Sequence, residues 1–308
     1  MFQHQYSIVR HPARVVVLGA KGFVAGGLIG LLHRERIPYR SLGKAEVDLV
    51  ESRAVEQLRD IVQPGDVIVV TSALTPEHGR DRATFLKNVA MIDHLCPVLA
   101  GVRQVIYISS DSVYHSRCTE INEESCCESN DMYALSHIVR EKLLTETCQR
   151  ANVRLTIIRP CAIYGARDTH NSYGPNRFIR TALREGKITL FGQGDEKRDH
   201  IYVGDLARLI QLCLCHGSSG VLNAATGRAL SFHEVACIIK EAIDQPVVIE
   251  TTPRAVPVVH RRFDTARVKR AFPDFKPTLF EAGTRACLAE LSSETRDVVP
   301  DRGFSSTP

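Results

Sequence analysis

Residues 14–27 read Arg14-Val-Val-Val-Leu-Gly-Ala-Lys-Gly-Phe-Val-Ala-Gly-Gly27, a β-branched run that leads directly into a glycine-rich segment. The run predicts a strand that is buried on both faces of a sheet. Gly19 allows a tight turn after it, and Gly22 lets the backbone approach a pyrophosphate at the positive end of the next helix. Ala25 stands where a third glycine is expected. The segment therefore predicts a dinucleotide-binding turn; a glycine-rich helix start that serves only packing is the alternative.

Strands and helices alternate along the first half of the chain. Short apolar runs predict strands at 39–42, 66–70, 104–108 and 155–158, and amphipathic patterns predict helices at 48–60, 83–99 and 133–150. Alternation of this kind predicts a parallel sheet covered by helices on both faces. The expected fold class is therefore α/β, a doubly wound parallel (Rossmann) sheet with a smaller substrate-binding domain in the C-terminal part.

The composition of the sequence changes after Gly165, where a polar segment rich in glycine and arginine begins. A strong helical pattern returns near residue 201, and prolines interrupt the chain after residue 223. We expect a dinucleotide-binding domain from 14–165 together with 201–222, and a substrate-binding domain from 166–200 and 223–292. We expect residues 1–13 and 293–308 to be flexible ends.

Composition excludes several classes of protein. The chain has 308 residues, 44% of them apolar and 24% charged, and its net charge of +4 is scattered. No basic tract is interleaved with aromatic residues, so we expect no binding to nucleic acid. No apolar run reaches the ~18 residues that span a bilayer, and the start lacks the apolar core of a signal peptide. We therefore expect a cytoplasmic protein that binds no membrane, with reduced cysteines and no metal site.

The end of the second predicted strand bears on the choice of cofactor. Enzymes that use NAD usually place an acid there for the ribose hydroxyls. The sequence at this point is Ser41-Leu-Gly-Lys44, without an acid and with a lysine that suits a 2′-phosphate. We expect NADP in preference to NAD, although Lys44 is alternatively a solvated loop charge. Asp48 is placed to reach an adenine amino group or, equally, to cap a helix.

Two motifs carry the chemistry. Ser109-Ser-Asp-Ser-Val-Tyr114 follows a predicted strand, and Tyr133-x-x-x-His137 opens a long helix. With them the chain resembles an extended short-chain dehydrogenase/reductase of the nucleotide-sugar epimerase/dehydratase family. The resemblance covers about residues 14–292 and is supported by the order and spacing of further motifs: Gly19-x-x-Gly22, Arg159-Pro160, Tyr164-Gly165, Phe191-Gly-Gln-Gly194 and Arg198-Asp-His-Ile-Tyr-Val-Gly-Asp205.

The resemblance implies that Tyr133 is the catalytic acid and base and that Ser110 hydrogen-bonds the substrate oxygen. The family's lysine lowers the pKa of the tyrosine and holds the nicotinamide ribose, and here that position is His137. His137 lies on the correct helical face, but a histidine is mostly neutral at pH 7. Either His137 suffices, in a slow enzyme or one with an alkaline optimum, or the fold has kept the cofactor and lost turnover; we expect retained activity. Lys142 lies five residues beyond His137 and faces elsewhere.

Asp111 lies where the dehydratase branch of the family carries an Asp-Glu pair. Here the pair is Asp111-Ser112, and the missing glutamate argues against dehydration. We expect either a catalytic role for Asp111 or a cap at a helix or a turn.

The resemblance also implies the residues that hold the ligands. For the cofactor they are Gly19, Lys21, Gly22, Phe23, Val24, Lys44, Asp48, Leu49, Ala73, Asn88, Tyr133, His137, Pro160 and Ile163. For a nucleoside-diphosphate sugar they are Asn176, Arg177, Phe178, Arg198 and Arg254, with both arginines on the diphosphate. A guanidinium suits phosphate oxygens, but a salt bridge from Arg198 to Asp199 or Asp205 is the alternative.

The expected reaction is NAD(P)-dependent hydride transfer at a sugar carbon of a nucleoside-diphosphate sugar. Epimerisation is the first expectation, and net 4-keto reduction by NADPH is the second. A non-catalytic NAD(P)-binding regulator or scaffold is the alternative from another class, motivated by His137. Members of the family often dimerise through a pair of helices, so we expect a homodimer through the helices near 83–99 and 133–150.

Overall fold

The central sheet is built of parallel strands, as seen in a computed structural model that describes residues 2–168 and 173–297. The strands in chain order are β1 (Val15–Leu18), β2 (Tyr39–Leu42), β3 (Val67–Val70), β4 (Gln104–Ile108), β5 (Glu120–Ile121), β6 (Arg154–Pro160), β7 (Ala162–Tyr164), β8 (Lys187–Phe191), β9 (Lys197–Tyr202), β10 (Gly220–Ala224), β11 (Ala229–Ser231), β12 (Val248–Thr252) and β13 (Arg262–Phe263). The order across the central sheet is β10-β6-β4-β3-β1-β2. The predicted fold class is confirmed.

Helices cover both faces of this sheet. In chain order they are α1 (Phe23–Arg34), α2 (Ala54–Ile61), α3 (Arg82–Asp93), α4 (Met132–Arg150), α5 (Pro175–Glu185), α6 (Val203–His216), α7 (Phe232–Glu241), α8 (Ala266–Ala271) and α9 (Phe280–Asp297). Alternate residues of β1 point to opposite faces, so Val15 packs with α1 and α6 while Val16 packs with α2, α3 and α4. Because both faces are covered, every residue of β1 is apolar and buried.

Two predicted helices are shorter than expected. The expected helix 48–60 begins only at Ala54, because the Asp48 carboxylate accepts the Val50 N–H at 3.1 Å and holds that segment in turns. The expected helix 83–99 ends at Asp93 and is followed by a short 3₁₀ turn at Cys96–Val98. Pro97 lies in that turn and offers no N–H to continue an α-helix.

A second core is formed by α5, α7 and α9 against β8 and β11. The strands here form a separate sheet in the order β11-β9-β7, and β12 pairs with β8. β7 pairs outside the central sheet, and β10 keeps residues 220–224 inside it, while the division into two domains stays a prediction. Strand pairing of this kind joins residues far apart in sequence, so the local pattern does not contain it.

The N-terminal segment, expected to be flexible, is bonded to the rest of the chain. Gln3 exchanges backbone hydrogen bonds with Ser219, and His4 lies 2.8 Å from the Ser218 hydroxyl. At the other expected flexible end, α9 continues through Asp297, and residues 298–308 lie outside the described part. No helix within the described ranges has both the length and the apolar character needed to cross a membrane.

Candidate active site

The glycine-rich turn joins β1 to α1 at the carboxyl edge of the sheet, where it opens into a cleft of about 510 Å³. Gly19 has φ +96°, and a Cβ there would lie 2.8 Å from the Ser72 backbone nitrogen. Only glycine fits this position, because it has no Cβ and adopts the left-handed region at little cost. The first turn of α1 therefore presents its free N–H groups to the cleft, an arrangement that suits a phosphate.

The walls of the cleft come from several elements that meet at this edge. They include Lys21, Gly22, Phe23, Val24, Ala73, Ser110, Asp111, Tyr133, His137, Pro160, Ile163 and Asp168. Most of the residues predicted to hold the cofactor are thus brought together in one place.

The two serines after β4 face different ways. The Ser109 hydroxyl donates to the Glu141 carboxylate at 2.6 Å in the interior. The Ser110 oxygen accepts the Ser112 N–H at 3.1 Å and caps the short turn Asp111–Val113 at the cleft. The residue that caps this turn is therefore Ser110 and not Asp111, so the cap alternative for Asp111 does not apply.

Asp111 is held by a residue that the sequence motifs do not include. Arg261 donates to the Asp111 carbonyl at 3.0 Å and lies 3.3 Å from its carboxylate. Burial raises the pKa of Asp111, and Arg261 and Arg198 oppose that shift. Arg261 lies just before β13, about 150 residues away in sequence, so no local pattern links the two.

Tyr133 lies in the first turn of α4, which begins at the N-cap Asp131. The Asp131 carboxylate accepts the Tyr133 N–H at 2.8 Å and so sets where the helix starts. Burial raises the pKa of the Tyr133 phenol to about 12, against the opposing effects of Arg140 and the Ser110 hydroxyl. The phenol is therefore a proton donor at neutral pH and needs further positive charge to act as a base.

His137 is one turn further along α4, with its ring edge-on to Tyr133 at a centroid distance of 4.7 Å. It is 1% exposed, and burial together with the charge of Arg140 holds its pKa well below the usual value. His137 is consequently neutral at physiological pH. Its Nδ1 lies 2.6 Å from the Tyr107 hydroxyl, and its Nε2 is buried without a partner in the described ranges.

The region at the end of β2 holds an acid that the sequence motifs did not indicate. The Glu46 carboxylate accepts the Gly43 N–H at 2.9 Å, close to the end of the strand. Lys44 is exposed and lies 3.4 Å from the Asp48 carboxylate. Asp48 is thus occupied by its own turn and by Lys44, and its contact with an adenine stays a prediction.

Two residues predicted to touch the cofactor have side chains that contact the protein itself, and their contact with a cofactor stays a prediction. The Asn88 side chain is 1% exposed, accepts the Leu74 N–H at 2.7 Å and donates to the Leu74 carbonyl at 2.9 Å. It clamps the loop after β3, so its effect on the cleft is indirect. The Leu49 side chain is buried in the sheet core, and its carbonyl lies 2.9 Å from His94 Nδ1.

A second cavity of about 740 Å³ adjoins the cleft and is lined by Ser110, Asp111, Tyr133, Arg198 and Arg261, among others. A third space of about 340 Å³ continues from Arg198 to Arg254 and has aromatic walls. Tyr173 and Phe191 stack there with ring centroids 4.6 Å apart. Arg198 therefore lies where the two spaces meet.

Both predicted diphosphate arginines bind one carboxylate. Glu196 is 6% exposed, and each of its carboxylate oxygens is bonded by one guanidinium, of Arg198 or Arg254. The alternative partners of Arg198 are engaged elsewhere: Asp199 accepts from Thr226 and Gly227, and Asp205 accepts from Thr278. Arg198 does form an ion pair, as the alternative predicted, but its partner is Glu196.

The other residues predicted on the substrate side are dispersed. The Asn176 side chain is buried, accepting the Gly165 N–H at 3.0 Å and donating to Asp168 at 2.6 Å. Phe178 is 1% exposed in the second core, and Arg177 is exposed on α5. Their contact with a ligand stays a prediction. On an amphipathic helix, aromatic and amide side chains are equally suited to the protein core and to a ligand site. Only the packing of the folded chain shows which of the two each side chain faces.

A buried ion pair behind the cleft was also not predicted. Glu141 accepts two hydrogen bonds from Arg159, at 2.9 and 2.6 Å, in addition to the bond from Ser109. Glu141 lies four residues after His137, so the helical period itself pointed to this position. This pair fixes the end of β6 and the serine turn against α4.

The NAD dependent epimerase/dehydratase family model matches residues 15–225, which is more than half of the chain. The protein belongs to this family. The match covers the glycine turn, the serine turn, α4 and the strand that carries Arg198. The predicted family is thereby confirmed.

Solved structures of similar fold accompany this family match. RMD from Pseudomonas aeruginosa complexed with NADPH is 24% identical, with a TM-score of 0.77 over 91% of this chain and 99% of that one. A GDP-L-fucose synthetase from Naegleria fowleri bound to NADP is 19% identical, with a TM-score of 0.84 over 97% and 98% of the chains. The UDP-glucose 4-epimerase of Thermus thermophilus in complex with NAD is 19% identical, with a TM-score of 0.79 over 93% and 100%. At these identities the likeness concerns the fold.

Proposed function

We propose that this family member is an enzyme that transfers hydride between NAD(P) and a sugar carbon of a nucleoside-diphosphate sugar. The observation that carries the proposal is that Ser110, Asp111 and Tyr133 line both the cleft at the glycine turn and the adjoining cavity. A cofactor in the first space and a sugar in the second would therefore meet at the same three side chains. Epimerisation is the first choice, and net 4-keto reduction is the second.

The cleft fits a nicotinamide dinucleotide. Gly19 and Gly22 leave room for the pyrophosphate at the start of α1. His137 lies in the wall of the cleft, and its Nε2, which has no partner among the described residues, would hold the ribose of a bound cofactor. The bound cofactor supplies the hydride acceptor or donor. Tyr133 exchanges the proton of the reacting hydroxyl, and Ser110 holds that oxygen in place.

The substrate class follows from the shape and charge beyond Tyr133. Arg198 and Arg254 bring two guanidiniums to the passage between the adjoining cavity and the aromatic space. Guanidiniums favour phosphate oxygens, and the stacked Tyr173 and Phe191 offer a surface for a nucleobase. Proteins of similar fold include one solved in complex with UDP-glucose and NAD. Asp111 without a following glutamate favours redox chemistry at the sugar over loss of water.

We favour NADP over NAD as the cofactor. Lys44 and Lys21 bring two ammonium groups to the region between β2 and the glycine turn, where a 2′-phosphate would lie. Glu46 opposes this choice, but its carboxylate already accepts the Gly43 N–H.

A non-catalytic NAD(P)-binding regulator is the second candidate. A neutral His137 beside a phenol whose pKa is raised to about 12 favours it, because such a phenol loses its proton with difficulty. This candidate predicts cofactor binding without turnover.

The test is thermal melting with each cofactor and with nucleotide sugars, followed by absorbance in the nicotinamide band. Stabilisation by both ligands together with product formation supports the enzyme. An epimerase converts its substrate without net use of cofactor, whereas a reductase consumes NAD(P)H in proportion to product. Stabilisation by cofactor alone, with no product from any nucleotide sugar, would favour the regulator.

We also propose a homodimer that forms through α3 and α4, which pack against each other and carry the exposed apolar residues Leu86 and Met132. Light scattering after size exclusion measures this state directly.

A further inference from the structure

Arg140 is a buried cation without a counter-ion in the described ranges. Its side chain is 0% exposed on α4, and its guanidinium lies 5.0 Å from the centre of the Tyr107 ring. Nη2 donates to the Ser72 carbonyl, while Nε and Nη1 have no hydrogen-bond partner among the residues that the structure describes. The adjacent carboxylate of Glu141 is occupied by Arg159. A buried charge without a partner is destabilising, so packing alone gives no reason for this arginine.

The position of Arg140 relates it to the catalytic tyrosine. It follows Tyr133 by seven residues, two helical turns, and so lies on the same face of α4 with His137 between them. The Tyr107 hydroxyl bonds His137, and the His137 ring packs edge-on against Tyr133. The guanidinium, Tyr107, His137 and Tyr133 therefore form a continuous buried line that ends at the cleft.

His137 cannot itself supply a charge to Tyr133. Its pKa is lowered by burial and by Arg140, so it stays neutral over the physiological range. The Tyr107 phenol, whose pKa burial raises, is protonated, and its hydroxyl lies 2.6 Å from His137 Nδ1. With the phenol as the donor in this bond, the His137 proton lies on Nε2, the atom without a partner in the part of the chain that the structure describes, where it serves as a neutral donor.

The charges around Tyr133 oppose one another. Arg140 lowers the pKa of the Tyr133 phenol more than any other charge does, while Asp111 and Glu77 raise it. Among the residues that the structure describes, the titratable and charged groups that line this region or influence Tyr107 are Lys21, Glu77, His78, Arg80, Tyr107, Asp111, Tyr114, His115, Glu128, Asp131, His137, Glu141, Cys161, Asp168, Arg198 and Arg261. Because Arg140 is fully buried, water and salt screen its field less than that of the cations at the cavity rim.

We propose that Arg140 is a positioning residue that supplies from behind His137 the positive charge that stabilises the Tyr133 phenolate. The task that one lysine performs in the family is thereby divided, with the charge on Arg140 and the neutral hydrogen-bond donor on His137. The catalytic role of Arg140 rests on the proposed function. The effect of its charge on the pKa of Tyr133 does not require that the protein turn over a substrate.

The test uses Arg140→Gln, which removes the charge and keeps an amide donor for the Ser72 carbonyl. Arg140→Lys keeps the charge, and Lys142→Met removes an exposed cation two residues away on the same helix as the matched control. The protein is labelled with fluorotyrosine, whose more acidic phenol titrates in a milder pH range, and is observed by ¹⁹F NMR. The signal of Tyr133 among the eight tyrosines is identified by its loss in Tyr133→Phe.

Loss of the charge in Arg140→Gln should raise the pKa of the Tyr133 phenol by about one pH unit or more. The acid limb of kcat/KM should move to higher pH by a similar amount, giving roughly a tenfold loss of rate below the limb. Arg140→Lys and Lys142→Met should stay close to the parent protein. Adding His137→Lys to Arg140→Gln should bring the titration of Tyr133 back down.

An unchanged Tyr133 titration in Arg140→Gln would overturn the proposal. If Arg140→Gln fails to fold, Arg140→Met replaces it; failure of both to fold while Arg140→Lys folds would make Arg140 a structural residue and equally overturn it. The titration is measured without substrate, so its outcome is separate from that of the proposed function. A shifted phenol in a protein that turns over no nucleotide sugar would refute the function and leave the role of Arg140 standing.

Discussion

Arg198→Ala is the substitution that tests the substrate site most sharply. Arg198 and Arg254 share the carboxylate of Glu196, which is 6% exposed at the junction of the second cavity and the aromatic space. If a diphosphate binds here, Arg198 contributes a charge-assisted hydrogen bond to it. If it does not, Arg198 only neutralises Glu196.

The two roles predict different magnitudes. Loss of a charge-assisted contact to the diphosphate should weaken binding by about 1.5–3 kcal/mol, roughly ten- to hundredfold in Kd. The same substitution leaves Glu196 with Arg254 alone, which should reduce the free energy of unfolding by about 1–3 kcal/mol. A lower melting temperature is thus expected in both cases, and only affinity separates them.

Glu196→Gln is the matched control. It breaks the same ion pairs, so the melting temperature should fall by a similar amount, but it leaves both guanidiniums in place. The pocket gains one unit of positive charge, and nucleotide-sugar affinity should be unchanged or tighter. Isothermal titration with a nucleoside diphosphate and with NADPH measures the substrate and cofactor sites separately. An Arg198→Ala protein that melts earlier but binds nucleoside diphosphates as the parent does would refute the diphosphate assignment.

Further outcomes are expected at other positions. Tyr133→Phe should reduce kcat by about 10²-fold or more and leave cofactor affinity nearly unchanged; kcat within a few-fold of the parent would eliminate Tyr133 as acid and base. Lys44→Asp should weaken NADP(H) binding more than NAD(H) binding, and tighter NAD binding by the parent would reverse the cofactor preference. His137→Lys should shift the optimum to lower pH but also lower the melting temperature, because it sets a second buried cation beside Arg140; a variant slower at every pH would show a dedicated role for histidine. Burial lowers the pKa of His200 to about 3. Below the ordinary pKa of about 6.5 the unfolded chain therefore binds more protons than the folded one. His200 alone should then lower the free energy of unfolding by about 2 kcal/mol between pH 7 and pH 5. An unchanged pH dependence of melting in His200→Gln would contradict this contribution.

Local sequence determined the parts of the fold whose signals repeat over a few residues. The apolar run of β1 and the glycine after it predict strand and turn, because burial on both faces and the positive φ of Gly19 each restrict the residue types at that position. Helical periodicity placed Tyr133 and His137 on one face of α4 in the same way. The family assignment followed from the order of such motifs.

Tertiary structure alone decided which charges are buried and what each one meets. Asp199 and Asp205 do not bind Arg198, because partners from distant segments occupy their carboxylates. Glu196 binds Arg198 and also Arg254, which the pairing of β12 with β8 brings close to it. The sequence alone predicts that Arg140 is an ordinary charged residue on the exposed face of a helix, yet it lies fully buried against Tyr107. The periodicity of one element tells which side chains share a face, but burial and the partner of a charge depend on the elements that pack against that face.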